Sequence, residues 1–153
     1  VVGGGGDGKA ECTEDMSIKQ LNDALQVPLL RLDCNRTRSA CAEAIGTCLR
    51  KNEKRLDQLP PETLHAVVSG VIKHLPDQNL TVRHVFASSL NITAPLVATH
   101  LAPLRANLID ALEMRLKDES DEKTKQELHD AFKNVQTGIG RRRDLLRQMQ
   151  ERL

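Results

Sequence analysis

The stretch LPPETLHAVVSGVIKHLPDQNLTVRHVFASSLNITAPLVATHLAPL (Leu59–Leu104) decides how the chain is read. Pro60 and Pro61 suit the first turn of a helix, where the amide they lack has no intrahelical partner. Leu64, Val67, Val68, Val71, Ile72 and Leu75 then recur at threes and fours and end at Pro76, the spacing of an amphipathic helix. A Pro-Asp turn follows, and a partner helix from about Leu80 buries Val82, Val85, Phe86 and Leu90. With Leu101 and Leu104 the same pattern starts again.

The flanks extend this all-α reading. Towards the N-terminus, Ile18, Leu21, Leu25, Pro28, Leu29 and Leu32 predict a helix from about Glu14. Ser17 and Gln20 stand at capping-box spacing, and Pro28 is expected to kink the last turns. A turn at Asp33-Cys34-Asn35 leads to a helix from about Thr37, with a small-residue stripe of Ala40, Cys41, Ala44, Ile45, Cys48 and Leu49. Towards the C-terminus, Leu101, Leu104, Leu108, Leu112 and Leu116 line one helix, Lys117 to Glu122 form a turn, and Leu128, Ala131, Phe132 and Val135 line the next. Gly138-Ile139-Gly140 is expected to break that helix. Arg141 to Leu153 then reads as a separate short helix carrying Leu145, Leu146, Met149 and Leu153 on one side.

Composition narrows the function. A chain of 153 residues fits one domain, here 13–153 after a Gly-rich flexible tail over 1–12, and its missing initial Met suggests a fragment or a processed chain. The apolar content of 39% is almost wholly aliphatic, with two Phe and neither Tyr nor Trp. Stacking on single-stranded nucleic acid and aromatic-lined peptide grooves both need rings that are missing here. The balance of 22 basic against 21 acidic residues gives no global field for a phosphate backbone, so nucleic acid is not expected as a partner. No long apolar run and no signal-peptide order is present, so a membrane is not expected either.

Four cysteines, Cys12, Cys34, Cys41 and Cys48, are read as reduced. Cys41 and Cys48 are separated by about 10 Å along one helix, too far for a bridge. Neither the cysteines nor His65, His74, His84, His100 and His129 fall at metal-ligand spacing. No local Ser-His-Asp or Cys-His arrangement is present, so neither catalysis, metal, cofactor nor small-molecule substrate is expected. GGGGDGK fails as a phosphate loop because Ala10 stands where a hydroxyl is required. Three Asn-x-Thr sequons begin at Asn35, Asn79 and Asn91. They are read as turn and capping residues, with Asn91 on a packed helix, rather than as glycan sites.

Three turns repeat one pattern: LRLDCNRTRSACAEAIG from Leu30, HLPDQNLTVRHVFASSL from His74 and RLKDESDEKTKQELHDAF from Arg115. Asp33, Asp77 and Asp118 each follow a Leu, and Arg38, Arg83 and Thr124 come five or six residues later, 45 and 41 residues apart. This resembles the HEAT-repeat family of armadillo-like α-solenoids, whose units carry an Asp at the turn and Val-Arg at the start of the second helix. Asp77 with Val82-Arg83 matches that pattern. Asp33 with Arg38 matches it one residue shorter, and Lys123-Thr124 departs from it.

The resemblance covers roughly residues 14–138 and implies a right-handed α-α superhelix of about three helical hairpins (14–52, 59–99 and 101–138) plus the terminal helix 141–153. A six- or seven-helix bundle is the alternative. It further implies a ladder of Asp33, Asp77 and Asp118 with the arginines, and a non-catalytic protein-protein interaction or scaffold module. That module would belong to a larger HEAT-repeat protein of the cytoplasm, or of the nucleus. A tubulin-binding array is similar in layout, but such arrays place an aromatic in the first turn, here Leu32-Asp33-Cys34-Asn35. A helical regulatory subunit of an enzyme complex is a third reading.

Candidate partner-binding residues are Arg38, Arg83 and the basic cluster Arg141, Arg142, Arg143 and Arg147. That cluster is read first as the opening helix of a further repeat, its apolar face on the stack. The alternatives are an acidic protein docked on it, or lipid or nucleic acid.

Overall fold

The computed structural model describes residues 12–152, with side chains outside 138–146. The fold is all-α. Among the described residues lie six α-helices: α1 (Ile18–Leu30), α2 (Arg38–Lys51), α3 (Pro61–His74), α4 (Leu80–His100), α5 (Arg105–Asp118) and α6 (Glu122–Glu151). Short 3-10 helices cover Glu53–Gln58 and Ala102–Leu104.

Consecutive helices pack as hairpins, α1 on α2, α3 on α4 and α5 on α6. The hairpins touch through two rows, α1 to α3 to α5 and α2 to α4 to α6. Between the rows runs one apolar core that includes Leu21, Leu25, Ile45, Phe86, Leu112 and Leu128. A hairpin has too little apolar surface of its own to close such a core, so each depends on its neighbour.

Local chemistry sets the helix starts. Ser17 and Gln20 form the expected capping box, the Ser17 hydroxyl accepting from the Gln20 amide and the Gln20 side chain from the Ser17 amide. Asn79 caps α4 by accepting from the amides of Thr81 and Val82. Asp121 caps α6 by accepting from the amide and hydroxyl of Thr124. The helix α1 ends two residues beyond Pro28.

Four expectations need correction. The glycines at 138 and 140 do not break the last helix: α6 is continuous over 30 residues. Glycine inside a helix costs about 1 kcal/mol relative to alanine, and nothing in the segment requires a left-handed turn or removes an amide donor as proline would. Residues 147–152, Met149 among them, are exposed, so the described part of this end does not lie with an apolar face on the stack.

The small-residue stripe of α2 is also rotated. Cys41, Ile45, Cys48 and Leu49 are buried together with Ala42 and Gly46, whereas Ala40 and Ala44 are exposed. Gly46 lies against α4, where an added Cβ would stand 2.8 Å from Val85 Cγ1. The α2 and α4 backbones can approach this closely only with glycine there.

The cysteines are not all reduced. Cys12 and Cys48 form a disulfide, their Cα atoms 5.1 Å apart and 36 residues apart in sequence. The bridge joins α2 to a segment outside it, which spacing along one helix does not reveal. Residues 12–16 fold back along the end of α2, where Lys51 Nζ donates to the Cys12 carbonyl and Arg55 to that of Met16. Cys12 is therefore no part of a tail, and the tail expectation for 1–11 lies outside the described residues. Cys34 and Cys41 are free, exposed and buried respectively.

Candidate interaction edge at the hairpin turns

The turns between the helices of each hairpin come together along one edge, joined by charged side chains. Arg38, at the start of α2, first closes its own turn by donating to the Leu32 carbonyl at 2.7 Å and the Asp33 carbonyl at 3.1 Å. Its Nη1 then crosses to Asp77 Oδ2 of the next hairpin at 3.0 Å. Arg83 repeats the arrangement. It donates to the carbonyls of Asp77 and Gln78 and crosses to the third hairpin, where it meets Glu119 at 2.9 and 3.3 Å.

The third acceptor is thus Glu119 and not Asp118, which is exposed at the end of α5. The caps explain the one-residue difference. Asp77 accepts from the amide of Asn79, the cap of α4, and Glu119 accepts from the amide of Asp121, the cap of α6. Both Asp77 to Glu119 and Asn79 to Asp121 are spaced by 42 residues. Aligning the hairpins on their caps would have found Glu119. Aligning them on the leucine before the turn selects Asp118. In the corrected register buried Thr124 corresponds to buried Val82, and Lys125 to Arg83.

The two crossings differ in environment. At the first, Arg38 and Asp77 keep 15% and 14% of their side-chain surface. At the second, the Glu119 side chain is fully enclosed, and Arg115 Nε lies 3.5 Å from it as a second cation. Burial by itself pushes the Glu119 carboxyl up. The Arg83 hydrogen bonds, the Asp121 amide and the two guanidinium charges outweigh it and hold the group below its ordinary value near 4.5.

Asp33 behaves otherwise. Its exposed carboxylate is contacted by Lys73 Nζ and His74 Nε2, both at 2.9 Å, and first the Lys73 hydrogen bond, then that of His74, lowers its pKa.

Arg38 and Arg83, expected to contact a partner, are therefore committed within the domain. Between the first two turns the edge opens into a groove of about 450 Å³ lined by Asn35, Arg38, Ser39, Asp77, Gln78, Asn79 and Val82. Its floor is the Arg38 to Asp77 pair, and Asn35, Gln78 and Asn79 are exposed at it. Arg147 is exposed on α6, far along the chain from this edge, while the side chains of Arg141, Arg142 and Arg143 lie outside the described residues.

The sequons separate by role. Asn79 is a cap, and Asn91 donates to Glu127 and accepts from Asn134 across the α4 to α6 contact. Asn35 stands exposed in the first turn. Among the described residues no His, Cys, Asp or Glu group converges as a metal site, and no helix is long and apolar enough to cross a membrane. No protein-family model matches the chain, and no curated protein and no solved structure is similar to it.

Proposed function

We propose that the chain is a non-catalytic interaction module of the HEAT-like α-solenoid type, a unit of a larger scaffold that holds another protein along its turn edge. The observation that carries this reading is the groove between the first two turns, with its uncharged polar rim. Its floor is a satisfied ion pair with no unmet charge, so a partner gains from amide and hydroxyl hydrogen bonds to Asn35, Ser39, Gln78 and Asn79. A rigid floor also lowers the ordering cost of binding, because both turns are already fixed by the arginines that cross them. The ladder and the pairing of hairpins in two rows support the repeat reading.

The test is partner capture with wild type, with a Ser39→Trp, Gln78→Lys double variant that obstructs the groove, and with Arg147→Glu at the far end of α6. Loss of the captured protein only in the groove variant, with circular dichroism and unfolding midpoint unchanged, is the expected result. A partner retained by the groove variant and lost by Arg147→Glu moves the binding surface to α6 and defeats the reading.

A further inference from the structure

The second helices of the three hairpins do not start alike. α4 and α6 are capped by the side chains of Asn79 and Asp121. α2 is not, because the Thr37 hydroxyl is turned back to the carbonyls of Arg31 and Cys34. The first amides of α2 therefore carry the partial positive charge of a helix N-terminus with no side-chain oxygen set against it.

Ser39, the second residue of α2, lines the turn groove beside Arg38, Asp77 and Gln78. It is half-buried, and its hydroxyl has no hydrogen-bond partner among the described residues. Exposed Arg36 stands three residues before it and Arg38 one before, whereas Thr37, the other hydroxyl of this run, has Cys34 three residues before it. Residues 33–36 are exposed, and the first turn of α2 is closed by the Cys41 amide on the Thr37 carbonyl. A helix end held in this way opens at small cost, which lets an enzyme draw out the segment around Ser39.

We propose that Ser39 is a phosphorylation site for a protein kinase that reads arginine ahead of serine, and that the phosphate closes the turn groove to its partner. The γ-phosphoryl group of ATP passes to Ser39 Oγ, ADP leaves, and the hydroxyl proton goes to the kinase's catalytic carboxylate. The product is a dianion at the uncapped start of α2, the end of a helix that favours negative charge. Arg38 is the only cation lining the groove, and its nitrogens already meet the carbonyls of Leu32 and Asp33 and the Asp77 carboxylate. A partner that meets the rim through uncharged hydrogen bonds must then strip water from a dianion and offers no charge to match it. The closure rests on the groove being the partner site; the modification of Ser39 does not.

The test has two arms. In the first, the full chain is incubated with a purified arginine-directed protein kinase, magnesium and ATP, and the phosphate is located by mass spectrometry. Incorporation at Ser39 is expected, absent from Ser39→Ala and slowed about tenfold by Arg36→Gln. In the second, a chain with phosphoserine installed at position 39 is expected to keep its circular dichroism and to capture the groove partner about tenfold less well. By phosphorus NMR its phosphate should titrate at lower pH than in the free peptide 34–44, where no helix end holds the dianion. No phosphate on Ser39, a rate indifferent to Arg36→Gln, or a phosphate that titrates as in the peptide overturns the proposal. Full capture by the phosphorylated chain overturns it alone when the Ser39→Trp, Gln78→Lys variant loses the partner. Full capture by both overturns the groove reading, and the closure with it.

Discussion

The junction between the first and second hairpins and the junction between the second and third solve one problem by different means. The first is close: Gly46 admits Val85, Asn22 accepts from Thr63 at 2.5 Å, the largely buried Arg38 to Asp77 pair joins the turns, and exposed Asp33 meets Lys73 and His74. The second is broad and polar. It carries enclosed Glu119 between two arginines, the Asn91 contacts to Glu127 and Asn134, and His84 beside Thr124. Where backbones come close, shape does the selecting. Where polar and charged side chains meet across the contact they must be satisfied, which makes the second junction the one that a single charge can break.

The largest expected effect is at that charge. Glu119→Ala leaves Arg83 and Arg115 enclosed with no counter-charge, a loss of about 3 to 5 kcal/mol that urea unfolding would read. The same carboxylate sets a pH dependence. Its folded pKa is depressed, so its contribution is present above the unfolded value near 4.5 and is lost as pH falls through the lower folded value. Acid titration of Glu119→Gln is expected to show a flatter loss than wild type below about pH 4.5, and an unchanged profile would refute the assignment.

Next in size is the bridge at the other end. Reduction, or Cys12→Ser, opens a loop spanning 36 residues, which chain-entropy reasoning values at roughly 4 kcal/mol. Exchange should rise first in residues 12–16 and α2, and hardly at all in α6.

Gly46→Ala is expected to cost about 1 to 2 kcal/mol, because the clash with β-branched Val85 exceeds what alanine returns in helix propensity. A neutral or stabilising result would mean that α2 and α4 can slide apart, and the contrast between the junctions would weaken. The smallest effect is Asp118→Asn. The residue stands outside the ladder, so the unfolding midpoint should not move, whereas a loss as large as that of Glu119→Ala would restore the leucine-based register.

These contrasts show where the sequence was legible. The helices, the Ser17 to Gln20 capping box and the stripes of α3 and α4 could be read because each depends on residues within one or two turns of each other. The groove could not be read, because Asn35 and Gln78 lie far apart in sequence and meet only once the hairpins stack. Arg38 and Arg83 were visible as arginines, but their employment inside the domain was not, since it depends on carbonyls and acids presented by two different turns. The third acceptor was misplaced by one residue because leucine periodicity tolerates such a slip and a cap does not.

By itself, then, the sequence determined an all-α chain of three hairpins, because periodicity, caps and turn residues act over short distances. Tertiary structure decided which acid each arginine meets, which cysteine pairs with Cys12, and that α6 runs on through two glycines. The first two outcomes turn on contacts between segments 36 to 39 residues apart, which local pattern does not encode.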